Sequence, residues 1–213
     1  MKITPFEFNL FGELTYVMWD ETTAQAAIID PGMSNPSEEK QLASFIADNH
    51  LSVKYMLFTH LHIDHTFGSE FVRNTYGVGV TAHEADLPLG LARDNQARMF
   101  RLRVGSLPPL TIDNKVNHAD ELKLGSEKII VIHVPGHSKG SVAYYCPQLG
   151  FVVTGDALFR GSIGRTDLPG GNHSELIRSI SDRLLTLPES TIVYPGHGPS
   201  TTIGYESRMN PYI

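Results

Sequence analysis

Thr59-His60-Leu61-His62-Ile63-Asp64-His65 follows directly on the apolar run Tyr55-Met56-Leu57-Phe58. The apolar run reads as a buried strand, so the polar cluster sits where a strand ends and a cleft can open. Three imidazoles and a carboxylate fall within six residues, and no packing requirement asks for them. They are the donors that two adjacent divalent cations need. In a chain with 10 His, chance produces this pattern about 0.001 times.

Three further segments share that context. Val134-Pro135-Gly136-His137, Val153-Thr154-Gly155-Asp156 and Tyr194-Pro195-Gly196-His197 each end an apolar strand in a turn tipped by a metal-competent side chain. The glycine before each tip permits close backbone approach. Singly, such residues are more often caps or surface groups. Together they place seven candidate donors at four strand ends, and these converge if the strands lie side by side.

The remaining chain bounds the setting. Its 213 residues suit one α/β domain spanning 1–213. A net charge of −6 argues against a nucleic-acid surface, and the single Cys146 excludes an internal disulfide or a cysteine-based zinc site. Cys146 lies in the strand-like Val142–Cys146 and reads as a small buried apolar residue. The opening Met1-Lys2-Ile3-Thr4-Pro5 has no signal-peptide pattern and no segment is long enough to span a membrane, so a cytoplasmic protein is expected.

Strands are predicted at 2–9, 14–19, 26–30, 53–59, 78–82, 128–134, 141–146, 151–154 and 191–194, and helices at 37–49, 67–76 and 174–187. Residues 87–113, with Pro88, Pro108 and Pro109, read as a partly helical excursion over the cleft that contacts substrate. Strands followed by helices in both halves imply sheets packed between helical layers.

The His-Leu-His-Ile-Asp-His run, followed by Pro-Gly-His, Gly-Asp and Pro-Gly-His-Gly, resembles the metallo-β-lactamase superfamily. The stretches Gly155–Phe159, Gly161–Asp167, Asn9–Tyr16 and Ile29–Gly32 narrow the resemblance to the type II glyoxalase-like (hydroxyacylglutathione hydrolase) branch. The resemblance implies an αββα sandwich with a dinuclear site at the edge of two mixed sheets. It implies that His60, His62 and His137 hold one metal, Asp64, His65 and His197 the other, and that Asp156 bridges them. Asp30 matches a carboxylate that supports the ligand loop. His50, His83, His118, His133 and His173 match no ligand position. The ions are expected to be zinc, with iron and manganese compatible with the same donors.

Two such cations share a water and lower its pKa toward neutrality, giving a hydroxide for attack on an acyl carbonyl. Asp64 and Asp156 are then the catalytic carboxylates as well as ligands. A thiolate, from a thiol of pKa about 8.5, leaves without a general acid, so a small acyl thioester such as S-D-lactoylglutathione is the expected substrate. No nucleic-acid or membrane partner is expected, and the oligomeric state is not readable.

Arg165 matches the branch's basic glutathione contact, whereas two family tyrosines are replaced by Asp167 and Pro199. The chain ends 16 residues after His197, resembling a short form without the C-terminal helical domain. The Gly164-Arg165-Thr166-Asp167 wording also resembles the persulfide dioxygenases, which use a single iron on the same scaffold. That is the alternative reading.

Overall fold

The computed structural model describes residues 1–105 and 107–213. In the first half, β1 (Lys2–Phe8), β2 (Glu13–Trp19) and β3 (Gln25–Ile29) form an antiparallel meander. Helix α1 (Pro36–Asp48) leads to β4 (Ser52–Leu57), and α2 (Ser69–Tyr76) leads to β5 (Val80–Ala82). Two short helices follow, α3 (Leu87–Leu91) and α4 (Arg93–Met99), before the two-residue strand β6 (Asn114–Lys115). The first sheet has the order β1-β2-β3-β4-β5-β6, parallel from β3 onward.

The second half supplies β7 (Glu121–Leu124), β8 (Glu127–His133), β9 (Val142–Cys146) and β10 (Phe151–Gly155). A small hairpin, β11 (Leu158–Phe159) and β12 (Ser162–Ile163), precedes α5 (His173–Ser179), β13 (Ile192–Pro195), β14 (Thr201–Thr202) and α6 (Ile203–Met209). The second sheet runs β14-β13-β10-β9-β8-β7, antiparallel except for the β10–β13 pair.

Side-chain alternation explains why these sheets stack. Along β2, Tyr16 and Met18 enter the core between the sheets, while Val17 and Trp19 enter the core under α1. β3 divides likewise, with Ala27 and Ile29 inward and Ala26 and Ile28 outward. Both faces are therefore buried, which gives the continuous apolar runs seen in the sequence. Leu42, Ile46 and Val72 cover the outer face of the first sheet, and Leu176, Ile180, Leu184 and Ile203 cover that of the second. The result is the expected αββα sandwich.

Helix α1 starts on Asn35, whose side chain accepts from the amides of Ser37 and Glu38, with Pro36 at the first helical position. The helix expected over 174–187 is regular only to Ser179. Beyond it the backbone widens, and the Leu185 amide reaches the Ile180 carbonyl at 2.9 Å, a five-residue step. The apolar spacing survives that change, so the sequence pattern does not reveal it.

Two tyrosines cross between the sheets. Tyr16 of β2 donates to the Pro195 carbonyl at 2.7 Å, and Tyr144 of β9 donates to the Phe58 carbonyl at 2.8 Å. Cys146 is buried, and burial pushes its thiol up to about 12. Among the described residues no helix is long and apolar enough to cross a membrane.

Candidate metal centre

The four ligand-bearing strand ends do not lie side by side in one sheet. His60–His65 follows β4 in the first sheet, whereas His137, Asp156 and His197 follow β8, β10 and β13 in the second. They converge because the sheets face each other, and the ligands meet across one edge of the sandwich. The Thr59 carbonyl accepts from Val142 at 2.8 Å and the Gly196 carbonyl accepts from Leu14 at 2.8 Å, tying each sheet's loops to the other.

Two trios of ligand atoms result: His60, His62 and His137, and Asp64, His65 and His197. In the first, His137 Nε2 lies 2.8 Å from His62 Nδ1 and 3.2 Å from His60 Nε2. In the second, His197 Nε2 lies 3.3 Å from Asp64 Oδ2, and His65 Nε2 lies 3.8 Å from the same oxygen. Asp156 stands between them, 3.4 Å from His65 Nε2, 3.6 Å from His197 Nε2 and 3.7 Å from His137 Nε2. All seven residues come from the four strand ends picked out in the sequence.

The tautomers follow from the outward-facing nitrogens. His137 Nδ1 donates to the Arg165 carbonyl at 2.7 Å, and His65 Nδ1 donates to Asp30 Oδ2 at 3.0 Å. His197 Nδ1 donates to the Phe11 carbonyl at 3.2 Å, and His60 Nδ1 faces Thr59 Oγ1 at 3.0 Å. Each of these rings therefore turns an Nε2 lone pair inward. Buried lone pairs that face each other and two carboxylates repel unless a cation lies among them. His65 Nε2 and Asp156 Oδ1 are buried without a hydrogen-bond partner, which is the same signature. The donor set fits divalent metal.

Electrostatics separate the two trios. Burial pushes His62 down to about 3 and His60 well below its ordinary range, with neighbouring imidazoles adding to both shifts. Burial also opposes charge on His65, but Asp156, Asp64 and Asp30 outweigh it and raise this ring, so its surroundings favour a positive charge that a cation would supply in place of a second ring proton. Asp156 is held below the carboxylate range because His65, His137 and His197 overcome the effect of its burial. One trio is an all-imidazole site and the other is rich in negative charge.

Glycines allow the loops to approach this closely. A Cβ on Gly196 would collide with Asp156 Oδ1, and one on Gly155, at φ +51°, would collide with the Thr59 side chain.

Two buried carboxylates brace the ligand run. Asp30 accepts from the Thr59 amide at 2.7 Å, the Thr59 hydroxyl at 2.5 Å and His65 Nδ1. Its own backbone is left-handed at φ +51°, a strained conformation for a non-glycine residue. Asp30 also lies within reach of His60 and His65 as a third candidate donor group, but these three hydrogen bonds already commit its oxygens.

Asp86 was not singled out by the sequence. It accepts from the Leu61 amide at 3.1 Å, the Ser138 hydroxyl at 2.7 Å and the Gly140 amide at 2.6 Å. It thereby joins the loops of His62 and His137. Glu13, fully buried 3.8 Å from His65, also went unnoticed, although it falls within the matched stretch Asn9–Tyr16. Burial holds its carboxyl well above the ordinary value.

Within the 87–113 excursion, of which residue 106 lies outside the described residues, α3 and α4 are helical, and α4 is tied to the ligand run. Gln96 Oε1 accepts from the Ile63 amide at 3.0 Å, and its Nε2 donates to the carbonyls of Leu61 and Leu89. Arg93 is fully buried and donates to both oxygens of Glu70 and to the carbonyls of Thr66 and Pro108. A cavity of about 190 Å³ opens onto the ligands, lined further by Phe11, Phe100, Arg165 and Leu168. Arg165 forms a two-point ion pair with Asp167, at 2.7 Å for each bond, in an exposed position. The five other histidines lie outside the ligand groups found among the described residues.

The family model of the metallo-beta-lactamase superfamily matches residues 9–197. This chain belongs to that superfamily. The hydroxyacylglutathione hydrolase GloC of Haemophilus influenzae is 35% identical over all of this chain and 98% of its own length. The crystal structure of the BLEG-1 B3 metallo-beta-lactamase superimposes with a TM-score of 0.88 at 34% identity, covering 99% of both chains. TTHA1623 in a di-iron-bound form gives 0.85 at 39% identity over 99% of this chain and 100% of its own. ETHE1 from Myxococcus xanthus gives 0.78 at 30% identity over 99% and 84%.

Proposed function

We propose that this protein is a dinuclear metal-dependent hydrolase of small acyl thioesters, with S-D-lactoylglutathione as the reference substrate. The observation that carries the reading is the pair of ligand trios with Asp156 between them, open to a cleft. His60, His62 and His137 would hold one cation, Asp64, His65 and His197 the other, and Asp156 would reach both. When bound, the cations supply Lewis acidity, polarising a carbonyl and lowering the pKa of water. Imidazoles and carboxylates without thiolate suit zinc, which we propose as the metal, and the di-iron form of TTHA1623 supports iron as the other choice.

The chain's own groups do the rest. Asp64 and Asp156 are carboxylates aimed at the cleft, and they orient the attacking water and take its proton. Phe11, Phe100 and Leu168 limit bulk water around the reacting carbonyl. No Ser, Tyr or Cys is among the described residues lining this cavity, and its three imidazoles are all ligand candidates. An amine leaving group would have to recover the proton taken by Asp64 or Asp156, whereas a thiolate needs none. The similarity to GloC, a hydroxyacylglutathione hydrolase, supports the same substrate class.

Arg165 is positioned to meet an anionic arm of the thiol. Its pairing with Asp167 makes that contribution modest, and Arg165→Ala is expected to raise KM about threefold with kcat little changed, as loss of uniform binding does. The decisive assay measures free-thiol release from S-D-lactoylglutathione on protein of known metal content, with oxygen uptake on glutathione persulfide alongside. Thiol release with two metals per chain supports the reading. Oxygen uptake with one iron and no thiol release overturns it in favour of the persulfide dioxygenase that the Gly164–Asp167 wording resembles.

A further inference from the structure

A second cavity, of about 390 Å³, adjoins the metal cleft and shares His62 and Leu168 with it. Its volume falls in the range of small-molecule sites, roughly 300–1,000 Å³. Ala85, Pro88, Leu89, Ala92, Met99 and Leu168 supply the wall. Two of its nominally polar residues have nothing to offer a ligand. Asp86 spends its oxygens on Leu61, Ser138 and Gly140, and Gln96 spends its amide on Leu61, Ile63 and Leu89. The polar groups left are His62 Nε2, buried without a hydrogen-bond partner where the two cavities meet, and those of Asn95, whose oxygen already accepts from Arg98, and Lys139, both exposed residues. Arg165 lines the metal cleft but not this cavity.

We infer that this cavity receives the acyl arm of the substrate, and that this arm is an apolar chain longer than lactoyl. The inference rests on the thioesterase reading. A substrate whose carbonyl lies at the ligand cluster then has two exits: past Arg165 and Phe100 for the thiol arm, and past His62 toward Leu89 and Ala92 for the acyl arm. A lactoyl group would leave most of the cavity wet, with His62 as the one buried side chain there free to meet its hydroxyl. A straight hydrocarbon chain matches the wall along its length. The reaction is hydrolysis: the water oxygen forms the new carbon–oxygen bond, the carbon–sulfur bond breaks, and its electron pair leaves on sulfur. One proton of the water passes to Asp64 or Asp156 and on to solvent.

The test is kcat/KM for one thiol, glutathione, carrying acetyl, D-lactoyl, butanoyl, hexanoyl and octanoyl groups, on the metal-loaded protein. About fourfold per added methylene is expected from burial alone, reaching about 250-fold over the four methylenes from acetyl to hexanoyl. Ala92→Phe fills the cavity and is expected to reduce the hexanoyl-to-acetyl ratio at least tenfold, and Leu168→Asp is expected to do the same by charge. A flat or falling profile, with D-lactoyl best, overturns the inference while leaving the thioesterase intact. If no thioester is cleaved, the thioesterase reading fails, and the cavity is judged by binding of acetate, hexanoate and octanoate followed by NMR. Tighter binding with length, lost in Ala92→Phe, keeps the cavity's apolar specificity. Equal binding of all three removes it.

Discussion

Asp30 and Asp86 are both buried carboxylates that accept three hydrogen bonds beneath the same histidine run, yet they do different work. Asp30 holds a ligand ring itself, because one of its bonds comes from His65 Nδ1 and fixes which nitrogen faces the metal. Asp86 touches no ligand ring. Its partners are two backbone amides and a hydroxyl, so it sets where two loops meet and not how a ring is protonated. The pair shows that a metal centre needs one support for ligand chemistry and another for the spacing of the loops that carry it.

The comparison breaks most visibly at Asp30. Asp30→Ala is expected to lower metal affinity and activity about 100-fold, since the His65 tautomer is no longer fixed and the buried Thr59 amide loses its acceptor. Metal content by elemental analysis and kcat/KM check this, and near-wild-type values would deny Asp30 its special role. Chelation probes the same contrast. Removing metal held at about 100 times its Kd withdraws about 2.7 kcal/mol, and so about 5–10 °C of Tm. Chelator is expected to leave Asp30→Ala nearly unmoved and to shift Asp86→Ala by at least about half as much as wild type.

Asp86→Ala is expected to cost about 2–3 kcal/mol of stability by orphaning buried donors, with metal affinity falling about tenfold at most. Urea titration and metal competition separate the two effects. A larger loss of metal than of stability would make Asp86 equivalent to Asp30.

The smallest effect concerns pH. Burial raises the Asp86 carboxyl above its ordinary value, more than its hydrogen bonds lower it. The folded protein therefore binds this proton more tightly than the unfolded chain does, and the group's contribution falls as pH rises above about 3.9, the unfolded value. The stability advantage of wild type over Asp86→Asn is expected to shrink between pH 4 and the raised folded value. An advantage that grows with pH would mean the three donors dominate.

Asp30 was legible in the sequence because Ile29-Asp30-Pro31-Gly32 is both a strand stop and part of a matched stretch. Asp86 was not, because Glu84-Ala85-Asp86-Leu87 looks like any acidic helix start, and its three partners come from loops 25 or more residues away. The same division runs through the fold. β2, β3 and β10 were readable because both of their faces are buried and largely apolar. β7 carries alternating charges, and α6 contains a glycine in seven residues without a helical stripe, so neither announces itself. The ligands were readable by residue type, but their meeting across two sheets was not, since register within a strand says nothing of which sheet it joins.

The tyrosine hydroxyls that cross between the sheets, Tyr16 to Pro195 and Tyr144 to Phe58, bear on the order of assembly. Each sheet presents only part of the ligand set, so neither half of the chain completes either trio while the other is undocked. The two crossings close as the sheets meet, one beside the strand that leads to His197 and one at the residue before Thr59. In refolding, the buried tyrosine signal should therefore recover no later than metal uptake, which makes the bound ion a reporter of completed docking and not its cause.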